Sequence, residues 1–85
     1  MVTSLSARLR ASVATLMYLT GQSQRDLAGV LGISQGQVSR RQSGTAAWSL
    51  EQCEKLAAHW GIDALDLLAG PGRATEALPE RSVAR

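Results

Sequence analysis

Three segments of this chain begin with a serine followed three residues later by an acid or an amide: Ser23 and Asp26 in SQRD, Ser34 and Gln37 in SQGQ, Ser49 and Gln52 in SLEQ. Such a pair answers two of the backbone N–H groups that a helix leaves without partners at its start. The serine oxygen accepts from the third helical residue, and the longer side chain reaches back to the serine amide. A glycine closes each segment, at Gly32, Gly44 and Gly61, and a glycine past the last turn is the common way to end a helix. The starts and stops therefore divide residues 23–61 into short helices.

The apolar spacing fills this frame. Leu27, Ala28 and Leu31 form the buried stripe of the helix opening at Ser23, and Leu50, Cys53, Leu56, Ala57 and Trp60 form that of the helix opening at Ser49. Ahead of them, Leu5, Leu9, Val13 and Leu16 fall at helical spacing in a helix from about Leu5 to Leu19 that stops at Gly21. A fifth, short helix starts at Asp63, buries Leu65, Leu67 or Leu68, and ends at AGPG. No strand-like alternation is present, so the expected fold is all-α, with five helices in one domain over residues 1–70. Residues 71–85 have few large apolar side chains and read as a flexible tail, dispensable for folding.

Composition narrows the function. Eighty-five residues, 45% of them hydrophobic but with no Phe, are enough for one small core of Leu, Val, Ala, Met and two Trp. The formal net charge is only +2, but residues 1–48 carry Arg8, Arg10, Arg25, Arg40 and Arg41 against Asp26 alone. Residues 49–70 carry Lys55 against Glu51, Glu54, Asp63 and Asp66. A basic half joined to an acidic half points to a polyanion for one face only. Cys53 is the single cysteine, which leaves no intramolecular disulfide and makes a reducing, cytoplasmic compartment the default. No uncharged apolar run approaches the roughly 18 residues of a membrane span. Arg8 and Arg10 ahead of ASVATLMYLTG could mark a presequence, but the leucines of that segment are needed to complete the core.

The helix that opens at Ser34, GISQGQVSRRQSG in context, is the unusual one. At 100° per residue Val38 points to the core with Arg41 and Gln42 on its flanks. Gly36 and Arg40 point almost opposite, with Gln35 and Ser39 on one shoulder and Gln37 on the other. An ordinary solvated face is rich in Lys and Glu. This one has neither, and it accepts Gly36 at a cost of about 1 kcal/mol relative to Ala. Amides, a hydroxyl and a guanidinium suit base edges, and a glycine lets another molecule come close to the backbone.

The sequence SQRDLAGVLGISQGQVSRRQSG followed by SLEQCEKLAAHWGIDALDLL resembles the Cro and phage-repressor family of helix-turn-helix DNA-binding domains, the xenobiotic-response-element family, over residues 9 to 69. The resemblance implies a compact, lambda-repressor-like five-helix domain whose helix-turn-helix spans about residues 23–43. It implies that Gln35, Gly36, Ser39 and Arg40 face base edges in the major groove, and that Gln24 and Ser34 touch phosphate. Gln37, Arg41 and Ser43, on the flanks and at the end of the same helix, complete the expected phosphate contacts. Ala28, Gly32 and Val38 match the positions that set the angle between the two helices. The chain departs from the family where an Arg late in the first helix often pairs with a Glu late in the recognition helix. Here those positions hold Met17 and Gln42, and both halves of the pair are absent together. Gln22 and Arg41 also stand where apolar residues are usual.

Other residues have plainer readings. His59, the single histidine, has no neighbours in sequence that would make a metal or catalytic site. Asp63 and Asp66 fit capping and the helix dipole better than acid–base chemistry. Trp48, just ahead of an N-cap, reads as a staple on the next helix or as part of a dimer contact. The expected function is therefore sequence-specific binding of duplex DNA by a transcriptional regulator, a repressor, acting as a homodimer on an inverted repeat. No enzymatic activity, cofactor or metal is expected. The competing expectation is a helix-turn-helix kept as a protein-interaction module, antitoxin-like or adaptor.

Overall fold

The computed structural model describes residues 4–79. It contains six helices: α1 (Leu5–Thr20), α2 (Gln24–Leu31), α3 (Gln35–Ser43), α4 (Leu50–Trp60), α5 (Ala64–Leu68) and α6 (Pro71–Ala77). The described residues hold no strand, and the all-α expectation stands. All three serine-headed pairs form reciprocal capping boxes, at Ser23/Asp26, Ser34/Gln37 and Ser49/Gln52. The Ser23 backbone amide, and after it the Ser23 hydroxyl, hold the Asp26 carboxyl below its ordinary range.

One core joins all six helices. Leu9, Val13, Leu16 and Met17 of α1 meet Leu27, Ala28 and Leu31 of α2, Val38 of α3, and Cys53, Leu56, Ala57 and Trp60 of α4. Leu67 closes it from α5, Ala74 and Leu78 from the far end. Burial, with Glu54 adding a smaller effect, pushes the Cys53 thiol up, which fits its role as a small apolar side chain. Ser12 is the one buried polar residue of the described core, and its hydroxyl has no partner there.

Gln22, unusual for its position, has a clear task. Trp60 Nε1 donates to its carbonyl oxygen at 2.7 Å, and its amide nitrogen lies 2.6 Å from His59 Nε2. A buried indole N–H needs such a partner. His59 is thus tied to the turn after α1 rather than standing alone on the surface.

Two expectations are corrected. First, residues 71–79 are not part of a tail. Pro71 starts α6 at its first position, where its fixed φ and missing N–H cost nothing. Ala74 is fully buried and Leu78 nearly so, and α6 packs mainly against α1 and α5. The domain therefore extends past residue 70, with six helices rather than five; residues 80–85 of the expected tail lie outside the described residues. Composition misled because a seven-residue helix needs only one small residue and one leucine to dock. Second, of the leucines offered for α5 Leu67 is the fully buried one, while Leu5 and Leu50 of the apolar spacings, and with them Leu65, point outward and are 60, 75 and 74% exposed. Each lies at or near the start of its helix, where the stripe overhangs the core.

Leu78 measures the correction. Leu78→Ala should cost about 2–3 kcal/mol, and on the order of 10 °C in Tm for a domain of this size. Removing residues 71–85 should cost more. Thermal denaturation of both variants checks this, and an unchanged Tm for the truncated chain would restore the tail reading.

Candidate nucleic-acid interface

The pair α2–α3 is built for a fixed crossing. Gly32 ends α2 in the left-handed region, with φ of 70°, and its amide and that of Ile33 both donate to the Ala28 carbonyl, at 2.8 and 3.1 Å. The chain turns through Gly32 and Ile33 to Ser34, which caps α3 at once. This is a helix-turn-helix, two short helices joined by a tight glycine-containing turn.

Within α3, Val38 alone is buried, with 0% exposure. That one side chain contributes about 1.5–3 kcal/mol, which is little to orient a helix. Polar straps supply the rest. Gln24 Nε2, at the head of α2, donates to Gln42 Oε1 at 2.8 Å, and Gln42 Nε2 points at the Met17 sulfur of α1 at 3.0 Å. The positions where the resembling family often has an Arg–Glu pair are thus in contact here too, through a thioether and an amide. On the other flank, Arg41 donates through Nε to Gln52 Oε1 and through Nη1 to the Gln37 carbonyl, both at 3.1 Å. Gln52 also accepts from the Ser49 amide at 3.0 Å in the capping box of α4, so one amide both starts α4 and anchors α3.

The outer face agrees with the helical-wheel reading. Gln35, Gly36, Ser39 and Arg40 are all exposed on one side of α3. The residues expected at its rim are arranged less freely. Ser34 is exposed but caps α3, and Gln37 is half-buried with its side-chain oxygen accepting from the Ser34 amide at 2.9 Å. Gln24 and Arg41 are half-buried and committed to Gln42 and Gln52. The Ser43 hydroxyl donates to the Arg40 carbonyl at 3.0 Å. All nine residues, eight side chains and the bare backbone of Gly36, lie on α2, α3 or the turn between them, but Gln24, Gln37 and Arg41 are in the first place structural members of that pair. The wheel placed Arg41 towards the core edge; its partner could not be read, because Gln52 approaches from another helix.

Charge is left uncompensated on this half of the molecule. Among the described residues the one ion pair is Arg73 with Asp66, at 3.2 Å and remote in sequence from α2–α3. Arg8, Arg10, Arg25, Arg40 and Arg41 therefore meet no carboxylate within ion-pair distance in the described structure. Gly36 is equally unaccounted for by the protein itself. A Cβ there would meet only Arg40 Nη1 at 3.6 Å and Ser34 Oγ at 3.9 Å, which is ordinary contact. Among the described residues no group of three His, Cys, Asp or Glu is placed to hold a metal ion. No helix among them is long and apolar enough to cross a membrane.

Fold and surface define the class: a small all-α domain organised around a helix-turn-helix. Residues 4–82 match the model of the BetR domain, and the chain belongs to that family, which comprises small helical domains of helix-turn-helix type from transcription regulators. No curated protein and no solved structure matches the chain.

Because nothing in the fold needs Gly36, replacing it should help the fold. Gly36→Ala should raise stability by about 0.5–1 kcal/mol. Gly29→Ala should do the same, since a Cβ on that exposed α2 position meets nothing within 4 Å. Denaturant titration reads both. A loss of stability at Gly36 would show that the glycine serves folding rather than the surface.

Proposed function

We propose that this protein is a sequence-specific duplex-DNA-binding transcriptional regulator, a repressor of Cro-like type, that inserts α3 into the major groove. The observation that carries the reading is the outer face of α3. It is exposed, free of acids, and made of groups that pair with base edges, over a helix fastened from beneath by Val38, Gln42 and Arg41. In this reading Gln35, Gly36, Ser39 and Arg40 meet bases, while Ser34 and Ser43, with the remaining hydrogen-bonding capacity of Gln24, Gln37 and Arg41, meet phosphate. Arg41 has five N–H donors and uses two inside the protein, so it can serve both purposes.

The chain acts in this proposal as a two-fold dimer on an inverted repeat, because one short helix contacts too few base pairs to find a site by itself. A surface for the second copy is present. Leu5, Ser6 and Leu9 of α1, Trp48 with Ser49, Leu50 and Cys53 at the head of α4, and Leu68 of α5 line a mainly apolar groove. Leu50 and Leu5 stand exposed at its edges, and Leu65, also exposed, lies three residues before Leu68 in α5. Trp48 packs on the core from the position before the α4 cap, as a staple does, and its Nε1 is buried without a partner among the described residues. The same groove favours the second reading, a helix-turn-helix that binds another protein instead of DNA.

Selection of bound sequences from random duplexes separates the two readings: an inverted-repeat motif is expected, and no enrichment at low salt would sink the DNA reading. On the selected site Arg40→Ala should cost about 1–3 kcal/mol and relax preference at one base pair per half-site. Arg41→Ala should weaken all sequences alike and also lower Tm, since it releases the strap to Gln52. If Arg41→Ala changes base preference while Arg40→Ala does not, α3 is rotated from the orientation proposed.

The dimer has its own test. Leu50→Glu leaves the core untouched, because the side chain is already exposed. It should keep Tm but abolish cooperative occupation of two half-sites spaced about 10 bp apart, with binding to a single half-site unchanged. Sedimentation showing one chain per full site at saturation for the wild type would rule the dimer out.

A further inference from the structure

The exposed row of α3 does not end with the helix. Gly36, Arg40 and Ser43 follow one another along the outer face, and Gly44 continues from Ser43. There α1 intervenes. The Arg10 guanidinium lies across Gly44: a Cβ at residue 44 would sit 3.3 Å from Arg10 Cζ and 3.5 Å from Nε and Nη1. Gly44 holds φ of 88° and has no side chain, so it leaves a flat seat for the planar group. Arg10 is half-buried in this seat, and among the described residues it has neither a hydrogen-bond acceptor nor a carboxylate partner.

A positioned guanidinium whose five donors lack acceptors is prepared for an anion from outside. The local sequence sharpens the point. From Gln42 to Glu54 the chain has no Lys or Arg, so the segment that leaves α3 has no cation of its own. At this edge the Ser43 and Thr45 hydroxyls bond to each other at 3.0 Å, and Ser43 donates to the Arg40 carbonyl. From Gly36 to Gly44 the helix advances about 12 Å, comparable to the width of the major groove. If the middle of α3 meets base edges, its C-terminal end lies at the wall of the groove, where phosphates stand.

We propose that Arg10, reaching from α1 over Gly44, is a backbone anchor that grips a DNA phosphate at the C-terminal edge of α3. This rests on the DNA-binding reading above. It adds a contact from outside the helix-turn-helix, supplied through the α1–α3 contact and not by the segment that follows α3. The contact is to phosphate only, so it sets affinity and the docking angle and carries no base preference.

The experiment titrates the full chain against the selected duplex and a scrambled duplex at several salt concentrations. The variants are Arg10→Gln, Arg10→Lys and Arg73→Gln, with Tm measured for each. Arg10→Gln should weaken both duplexes in parallel, by about tenfold per chain bound. The slope of log affinity against log salt should fall by about 0.9 per chain. Arg10→Lys should keep the slope while losing part of the affinity, because an ammonium retains the charge without the planar seat. Arg73→Gln, which removes a charge paired with Asp66, should leave the slope unchanged. An Arg10→Gln variant that loses Tm but keeps the wild-type salt slope would make Arg10 a structural prop and overturn the inference while leaving the DNA reading intact. An equal slope change in Arg73→Gln would reduce Arg10 to bulk charge and overturn it as well. A wild-type chain that binds neither duplex at low salt overturns both the inference and the reading on which it rests.

Discussion

Val38 is the single apolar hold that the core has on α3. Everything on the presented face follows from that economy. A helix with one buried side chain can keep its other residues polar, apart from Gly36, and so can turn a hydrogen-bonding surface outward. It cannot fix its own rotation by hydrophobic contact alone. The amide chain from Gln24 through Gln42 to Met17 on one side, and the Arg41 bond to Gln52 of α4 on the other, fix it. These are directional contacts, and direction is what holds a mostly polar helix at one rotation.

The same arrangement explains why a site of this kind looks unfavourable in isolation. Gly36 weakens its helix, and the arginines of the first half find no carboxylates. Each is a local departure from what stability would choose, and the departures collect on one face. The exposed leucines are a second such departure. Leu5 and Leu50 flank one groove beside Trp48, and Leu65 stands on the helix that supplies Leu68 to it. The acid-free polar face and the apolar groove are thus two distinct surfaces of opposite character.

Resemblance and structure meet unevenly. The family match over residues 4–82 secures a helix-turn-helix regulatory domain. The positions where a Met and a Gln replace a frequent ion pair turn out to touch, so the departure preserves the contact and changes only its chemistry. Gln22, a departure of the same sort, is explained by the indole of Trp60, whose N–H it receives.

The boundaries of the helices from Ser23 to Gly61 were legible in the sequence, because caps and glycine stops act within four residues of the groups they satisfy. So was the orientation of α3, since a single valine among polar residues leaves one way to turn it. What the sequence could not tell is decided between elements distant along the chain. α6 exists because Ala74 and Leu78 find the core beside α1 and α5. Leu5, Leu50 and Leu65 obey the helical period yet overhang the core, because a stripe is buried only where another helix lies above it. Gln24, Arg41 and Arg10 are polar residues whose partners at Gln42, Gln52 and Gly44 lie 11 to 34 positions away. Local periodicity carries no information about such pairs; the crossing of the helices alone brings them together.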